Sequence, residues 1–247
     1  MRVITFFNKK GGVGKTTLSC HFAAWLHENG NRVLFVDVCE QGNSTNFFNE
    51  HISKVAAIDF FTNEINEIEN NNFVCLSGET IKINVQNINK LILDKNINLF
   101  RKSGFDYVIF DTSPALSTLT IGAFVVSDGV FCPTHLHNFS YSGINKTVET
   151  IAKINAKNQS KIKLFGIIPN SIDPRSSKQK VELGKIINAH KEKVMPALLN
   201  RKPFSDSMNG HTPVWNIKPQ AGNIKTATNE MKRLMKAIEE VTQSEAA

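Results

Sequence analysis

Residues 8–17 read N-K-K-G-G-V-G-K-T-T, and the spacing suits one kind of chemistry. Gly11, Gly12 and Gly14 free the backbone to turn its N–H groups inward around an oxyanion with no Cβ in the way. Lys15 is spaced to reach the β- and γ-phosphates of a nucleotide, and Thr16 to place its hydroxyl on Mg2+. A helix starting there would add the positive end of its dipole. A plain glycine turn at a helix start would not need Gly-x-Gly-Lys-Thr-Thr directly after an apolar strand, so the stretch is read as a nucleotide-binding loop. One position departs from the pattern G-x-x-x-x-G-K-S/T: Lys9 stands where its first glycine would, and Lys10 follows.

Two further stretches carry acids at the ends of apolar runs. Asp37-Val38-Cys39-Glu40-Gln41-Gly42-Asn43 follows Val33–Val36, and Asp111 follows Tyr107–Phe110. Asp111 could cap the next helix, or serve the neighbouring loop from the end of a second buried strand. Cys132, His135 and His137 offer metal-ligand types at close spacing. They lack a local fourth ligand, and residues leaving a strand alternate between its faces. A structural role is therefore expected there, and no Ser/His/Asp triad stands out.

The elements that must hold these residues follow from periodicity. Short apolar runs at Val3–Phe7, Val33–Val36, Phe73–Leu76, Tyr107–Phe110, Val130–Cys132 and Ile162–Ile168 alternate with helical stretches. Helices are expected from Lys15, around 55–68, and at about 86–102, 117–126 and 142–157. That rhythm predicts an α/β fold, a mainly parallel β-sheet flanked by helices on both faces. Ile224, Ala227, Met231, Leu234, Met235 and Ile238 recur at helical intervals, so 224–241 is expected to dock as a closing helix. With no evident linker or repeat, residues 1–247 are expected to form a single domain.

Charge is unevenly placed. The net charge is +7, but residues 175–236 alone hold 13 Lys/Arg against 4 Asp/Glu. A basic C-terminal third on a near-neutral body suits a polyanion such as nucleic acid, or equally a solvated basic surface. The 4 cysteines show no paired spacing and are read as free thiols. No apolar run reaches the roughly 18 residues of a membrane span, and Asn8-Lys9-Lys10 ends the N-terminal apolar run too early for a signal peptide.

Lys10-Gly11-Gly12-Val13-Gly14-Lys15-Thr16-Thr17 resembles the deviant Walker A box of the ParA/MinD group of P-loop ATPases. The resemblance continues through FDYVIFDTSPALSTLTIGAFVVSDGVFCPTHLHNFSYSGI, similar to the family's Walker B and switch II segment. It continues again through GIIPNSIDPRS and FSDSMNGHTPVW, leaving about 50–104 unmatched in detail. It implies a deviant Walker P-loop NTPase fold, ATP and Mg2+ as cofactors, and an ATP-dependent homodimer. Lys10 would cross the dimer interface to the partner's phosphates, Asp111 would hold magnesium through water beside Thr16 and Asp37, and Asn170 would touch the base.

The family's switch I reads roughly D-x-D-P-Q-G-N. Here Cys39 takes the place of the second aspartate, which in relatives orients the attacking water, and Glu40 that of the proline. Phosphoryl transfer depends on positioning and charge, and a thiol orients water poorly. Slow hydrolysis is the expectation favoured; alternatively Glu40 reaches in, or Asp37 serves both tasks. The resemblance further implies non-specific DNA binding by the ATP dimer through basic residues late in the chain: Arg175, Lys178, Lys202, Lys218, Lys225, Lys232 and Arg233. Release would be stimulated by a ParB-like adaptor, and the protein would be cytoplasmic and nucleoid-associated. The chain starts at its first strand, with no N-terminal helix-turn-helix extension expected. Its acidic end, Glu239-Glu240 onward, argues against a MinD-type membrane helix. A positioning factor for a protein cargo or for DNA transfer, or a hydrolysis-impaired DNA-binding ATPase, are the alternatives.

Overall fold

The computed structural model describes residues 1–78, 87–136 and 140–245. Its centre is a sheet of seven strands, β1 Arg2–Phe6, β2 Val33–Val38, β3 Ile52–Ala56, β4 Phe73–Ser77, β5 Tyr107–Thr112, β6 Gly129–His135 and β7 Lys163–Asn170. They lie in the order β3-β4-β2-β5-β1-β6-β7, and every pairing is parallel. β2 and β5 are buried at every position, which their near-continuous apolar sequence requires of central parallel strands.

The helices among the described residues are α1 Lys15–Glu28, α2 Asn43–Phe47, α3 Ala57–Thr62, α4 Lys90–Lys102, α5 Thr118–Val126, α6 Ser140–Asn158, α7 Ser177–His190, α8 Lys202–Asn209 and α9 Gly222–Ser244. Strand alternation divides the core. Ile4, Phe6, Val33, Phe35, Tyr107 and Ile109 meet α1 and α9 on one face. Val3, Leu34, Val36, Val108 and Phe110 meet α3, α4 and α5 on the other, where α6 also packs, through Ile151 and Ile154. The expected closing helix is present: Met231, Leu234, Met235 and Ile238 of α9 are buried, and Glu239 accepts the Trp25 indole N–H at 2.8 Å.

The helix expected around 55–68 is largely absent. Only Ala57–Thr62 is helical, and the residues before it form the edge strand β3. Glu69 accepts from the Ser53 hydroxyl at 2.7 Å and the Lys54 amide at 2.9 Å, so the chain after α3 folds back along that edge. Buried Asn96 holds the same return by accepting from the Ile65 amide and donating to the Phe60 and Asn63 carbonyls. These are tertiary contacts, which local periodicity does not register. The helix expected from about 86 begins at Lys90, where the Asn89 side chain accepts from the Leu91 amide; position 86 lies outside the described residues. Helices α2, α7 and α8 were not anticipated. α2 and α8 are short, and α7 buries only Gln179 and Ile186, leaving little apolar pattern to read. No helix among the described residues is long and apolar enough to cross a membrane.

Candidate nucleotide-binding site

The C-terminal ends of β1, β2 and β5 converge on a cavity of about 520 Å3. Gly11, Gly12, Gly14, Lys15, Thr16 and Thr17 line one side of it, and Cys39, Glu40, Gln41 and Asn43 another. Thr112, Ser113, Pro114 and Ala115 complete the wall. Gly12 and Gly14 adopt φ of 70° and 96°, values an L side chain would resist. No side chain caps α1, so its first-turn amides face the cavity as an anion cradle. Lys15 is buried and folds over the loop, its Nζ donating to the Asn8 carbonyl at 3.2 Å and the Lys10 carbonyl at 3.0 Å. Burial lowers its pKa, against the pull of the Asp111 charge. Lys10 is half-buried, and its amide donates to Asn8 Oδ1 at 3.0 Å.

Asp37 and Asp111 are paired across neighbouring parallel strands, and both are fully buried. Asp37 is tied down on each oxygen: Oδ2 accepts from the Thr45 amide at 3.0 Å and the Thr45 hydroxyl at 2.7 Å, and Oδ1 from the Cys39 amide at 2.9 Å. Burial raises its pKa, and those bonds oppose the rise. Asp111 has no such support. Among the described residues neither carboxylate oxygen has a hydrogen-bond partner, and its pKa is pushed up to about 7, first by burial and then by the Asp37 charge. The nearby Thr16 and Ser44 hydroxyls, neither placed to close a hydrogen bond to it, and Lys15 offset part of that rise. A buried, unpartnered carboxylate beside a second one and a threonine hydroxyl is an arrangement that a small hard cation would relieve, so these residues fit Mg2+.

Cys39 is half-buried and on the cavity wall. Burial raises its pKa, and Asp111 and Asp37 add to the rise, so it is a neutral thiol and not a reactive thiolate. Glu40 is exposed and lines the same cavity. Gly78 backs the loop: a Cβ there would stand 2.8 Å from both the Asp37 and Cys39 carbonyl oxygens. Sequence reasoning missed Gly78, because its role depends on β4 lying beside β2.

Asn170 ends β7 beside the phosphate loop, its amide donating to the Val13 carbonyl at 2.9 Å. It borders a second recess of about 280 Å3 with Gly12, Thr17, His135, Leu199 and Phe204, an apolar and polar mixture suited to a flat base. Among the described residues no cluster of three or more His, Cys, Asp or Glu could hold a metal. Cys132 instead meets the Thr147 hydroxyl at 3.6 Å, and His137 lies outside the described residues.

His21, which the sequence did not single out, pins α1 to the C-terminal part of the chain. Its Nδ1 donates to the Thr17 carbonyl at 2.6 Å, while Nε2 accepts from the Val214 amide at 3.2 Å and lies 3.1 Å from the Ser207 hydroxyl. Burial depresses its pKa to about 4. The folded state therefore resists a proton that the unfolded chain takes up near pH 6.5. The stabilisation is complete above that pH and is lost as pH falls toward 4. At about 1.4 kcal/mol per unit this is on the order of 3 kcal/mol. Urea titrations from pH 7 to 4 should show wild type losing that much more stability than His21→Gln; parallel curves would refute it.

The basic residues fall into two groups. Lys225, Lys232 and Arg233 are exposed on the outer side of α9, with Lys202 at the start of α8 and Lys218 just before α9. Lys232 also sits 5.8 Å from the centre of the Trp215 ring. Arg175 and Lys178 belong to α7 and the turn before it, an element packed against α6, and Arg175 is paired with Asp173 at 3.1 Å. Arg201, part of the same basic stretch, is committed to Glu230 through two hydrogen bonds.

Residues 1–164 match the family model described as an AAA domain. Protein IncC from Escherichia coli is 29% identical, over 95% of this chain and 68% of its own length. The chromosome partitioning protein ParA of Caulobacter vibrioides is 26% identical, over 81% of each chain. An ATP complex of a McdA variant from Cyanothece superposes with a TM-score of 0.76 at 15% identity, over 98% of this chain and 96% of that one.

Proposed function

This chain belongs to the ParA/MinD family of deviant Walker A P-loop ATPases, and on that premise we propose that it is a partition ATPase. In this reading ATP closes two copies face to face, with Lys10 of each reaching the other's phosphates. The dimer holds DNA without sequence preference on the nucleoid, within the cytoplasm, and a ParB-like adaptor promotes its release. Thr16, Asp111 and Asp37 would hold Mg2+, whose charge would neutralise the β- and γ-phosphate oxygens. Lys15 adds a second cation from the protein, and the α1 amides fix the phosphates in place.

One observation carries the proposal. The helix that opens as the phosphate cradle, α1, is the helix against which α9 packs, and α9 presents Lys225, Lys232 and Arg233 on its outer side. The phosphate cradle and a basic surface thus stand on two helices packed directly against each other. Lys10 is half-buried on the loop, and its charge would help bind phosphate only once a second copy is present. The neutral thiol of Cys39 favours a second reading, an ATP-dependent DNA-binding protein with impaired hydrolysis. A positioning factor for a protein cargo or for DNA transfer would use the same switch.

A fluorescent random-sequence duplex titrated with ATP or ADP separates these outcomes. ATP should tighten binding at least about tenfold, and affinity should fall steeply with salt as phosphate contacts release counterions. Lys225→Glu with Lys232→Glu should weaken binding equally on unrelated sequences. Equal affinity with ATP and ADP would defeat the switch model.

A further inference from the structure

A second large cavity lies apart from the nucleotide site. It is a groove of about 700 Å3 between α4, α5 and α6, on the face of the sheet away from α9. Lys146, Lys153 and Lys157 line it from α6, and their spacing puts them on one stripe about 16 Å long. Lys90 of α4 and Lys9 of the phosphate loop complete the rim. All five are exposed, and among the described residues none is in an ion pair. Among the described residues Glu149 is the one carboxylate on the lining.

The floor is different in character. Leu116, Ile121 and Val125 lie along it, with Leu116 still 38% exposed. Uncompensated cations around an apolar floor are costly to keep together without a complement, because like charges repel and the floor gains nothing from water. Duplex DNA is a poor complement, because its phosphates gain nothing from the leucine, isoleucine and valine of the floor. A helix or strand with acids on its flanks and apolar residues on one side would satisfy both features at once.

We propose that this groove docks an acidic amphipathic segment of a partner protein. Lys9 and Leu116 place the docked segment beside the phosphate loop and the end of β5. The site does not depend on turnover, so binding can be read on the nucleotide-free protein.

The probe is a fluorescein-labelled synthetic peptide of Leu-Glu-Glu-Leu repeats, with an isomer carrying Lys for each Glu as control and a labelled duplex run in parallel. Fluorescence anisotropy at low salt should give a Kd below about 100 µM for the acidic peptide alone, weakening as salt screens the lysines. Lys146→Glu, Lys153→Glu and Lys157→Glu together should weaken it at least about tenfold, and the triple Lys→Gln variant by less, each with an unchanged melting temperature. DNA affinity, measured with ATP present, should be unaffected. No binding of the acidic peptide, equal binding of the lysine isomer, or binding unchanged in the triple variants would overturn the proposal. Loss of DNA binding with the peptide retained would overturn it too, and would assign the stripe to nucleic acid.

Discussion

Asp111→Asn should lower ATP turnover by about 10²–10³-fold or more while making the nucleotide-free protein harder to unfold. The two effects have one cause. Asp111 is fully buried, has no hydrogen-bond partner on either oxygen among the described residues, and sits beside Asp37. In the nucleotide-free protein that carboxylate is a burden, as its pKa near 7 records. An amide removes the charge and can donate to Asp37, which should add about 1–2 kcal/mol, or roughly 3–6 °C in Tm for a chain of this size. With Mg2+–ATP the sign reverses, because the lost charge is the one that would hold the cation. Calorimetry and a phosphate-release assay on the same preparation test both halves. A lower Tm would show that Asp111 is better satisfied than its geometry indicates, and unchanged turnover would remove it from the magnesium site.

Cys39→Asp should raise turnover by about 10–100-fold, the gain expected when a group that orients the attacking water is restored. Cys39 already lines the cavity, and its backbone amide is held by Asp37 at 2.9 Å, so the new carboxylate would start from a fixed position. The neutral thiol there now neither accepts a strong hydrogen bond nor carries charge. Asp37 is a weak substitute, since Thr45 and Cys39 occupy both its oxygens. Glu40 is the competitor, exposed and on the same wall. Single-turnover hydrolysis of wild type, Cys39→Asp and Glu40→Gln distinguishes them. Equal rates for wild type and Cys39→Asp would end the slow-hydrolysis reading, and a tenfold fall in Glu40→Gln would show that Glu40 compensates.

Much of the architecture is legible in the chain because central parallel strands and the phosphate loop announce themselves locally. Val33–Val36 and Tyr107–Phe110 are apolar without interruption, since both faces of each strand are covered. Gly-x-Gly-Lys-Thr is short, contiguous and demanding in backbone conformation, so few other structures use it. The helix misread around 55–68 has the opposite character. It depends on Glu69 and Asn96 reaching back from elsewhere, and neither contact leaves a period in the sequence.

The candidate site divides in the same way. Residue types and spacing alone determined the phosphate cradle and the two acids ending apolar runs, and the family resemblance marked the departure at Cys39. Only the tertiary structure decided which of those acids is satisfied, because Asp37 owes its partners to Thr45 and to a turn, whereas Asp111 has none. It also set Arg175 and Lys178 apart from the basic side of α9, and gathered Lys9, Lys90 and Lys146 around one groove. Charge counted along a chain carries no direction. Which cations share a surface is fixed by how helices pack on the sheet, and that information exists only once the chain has folded.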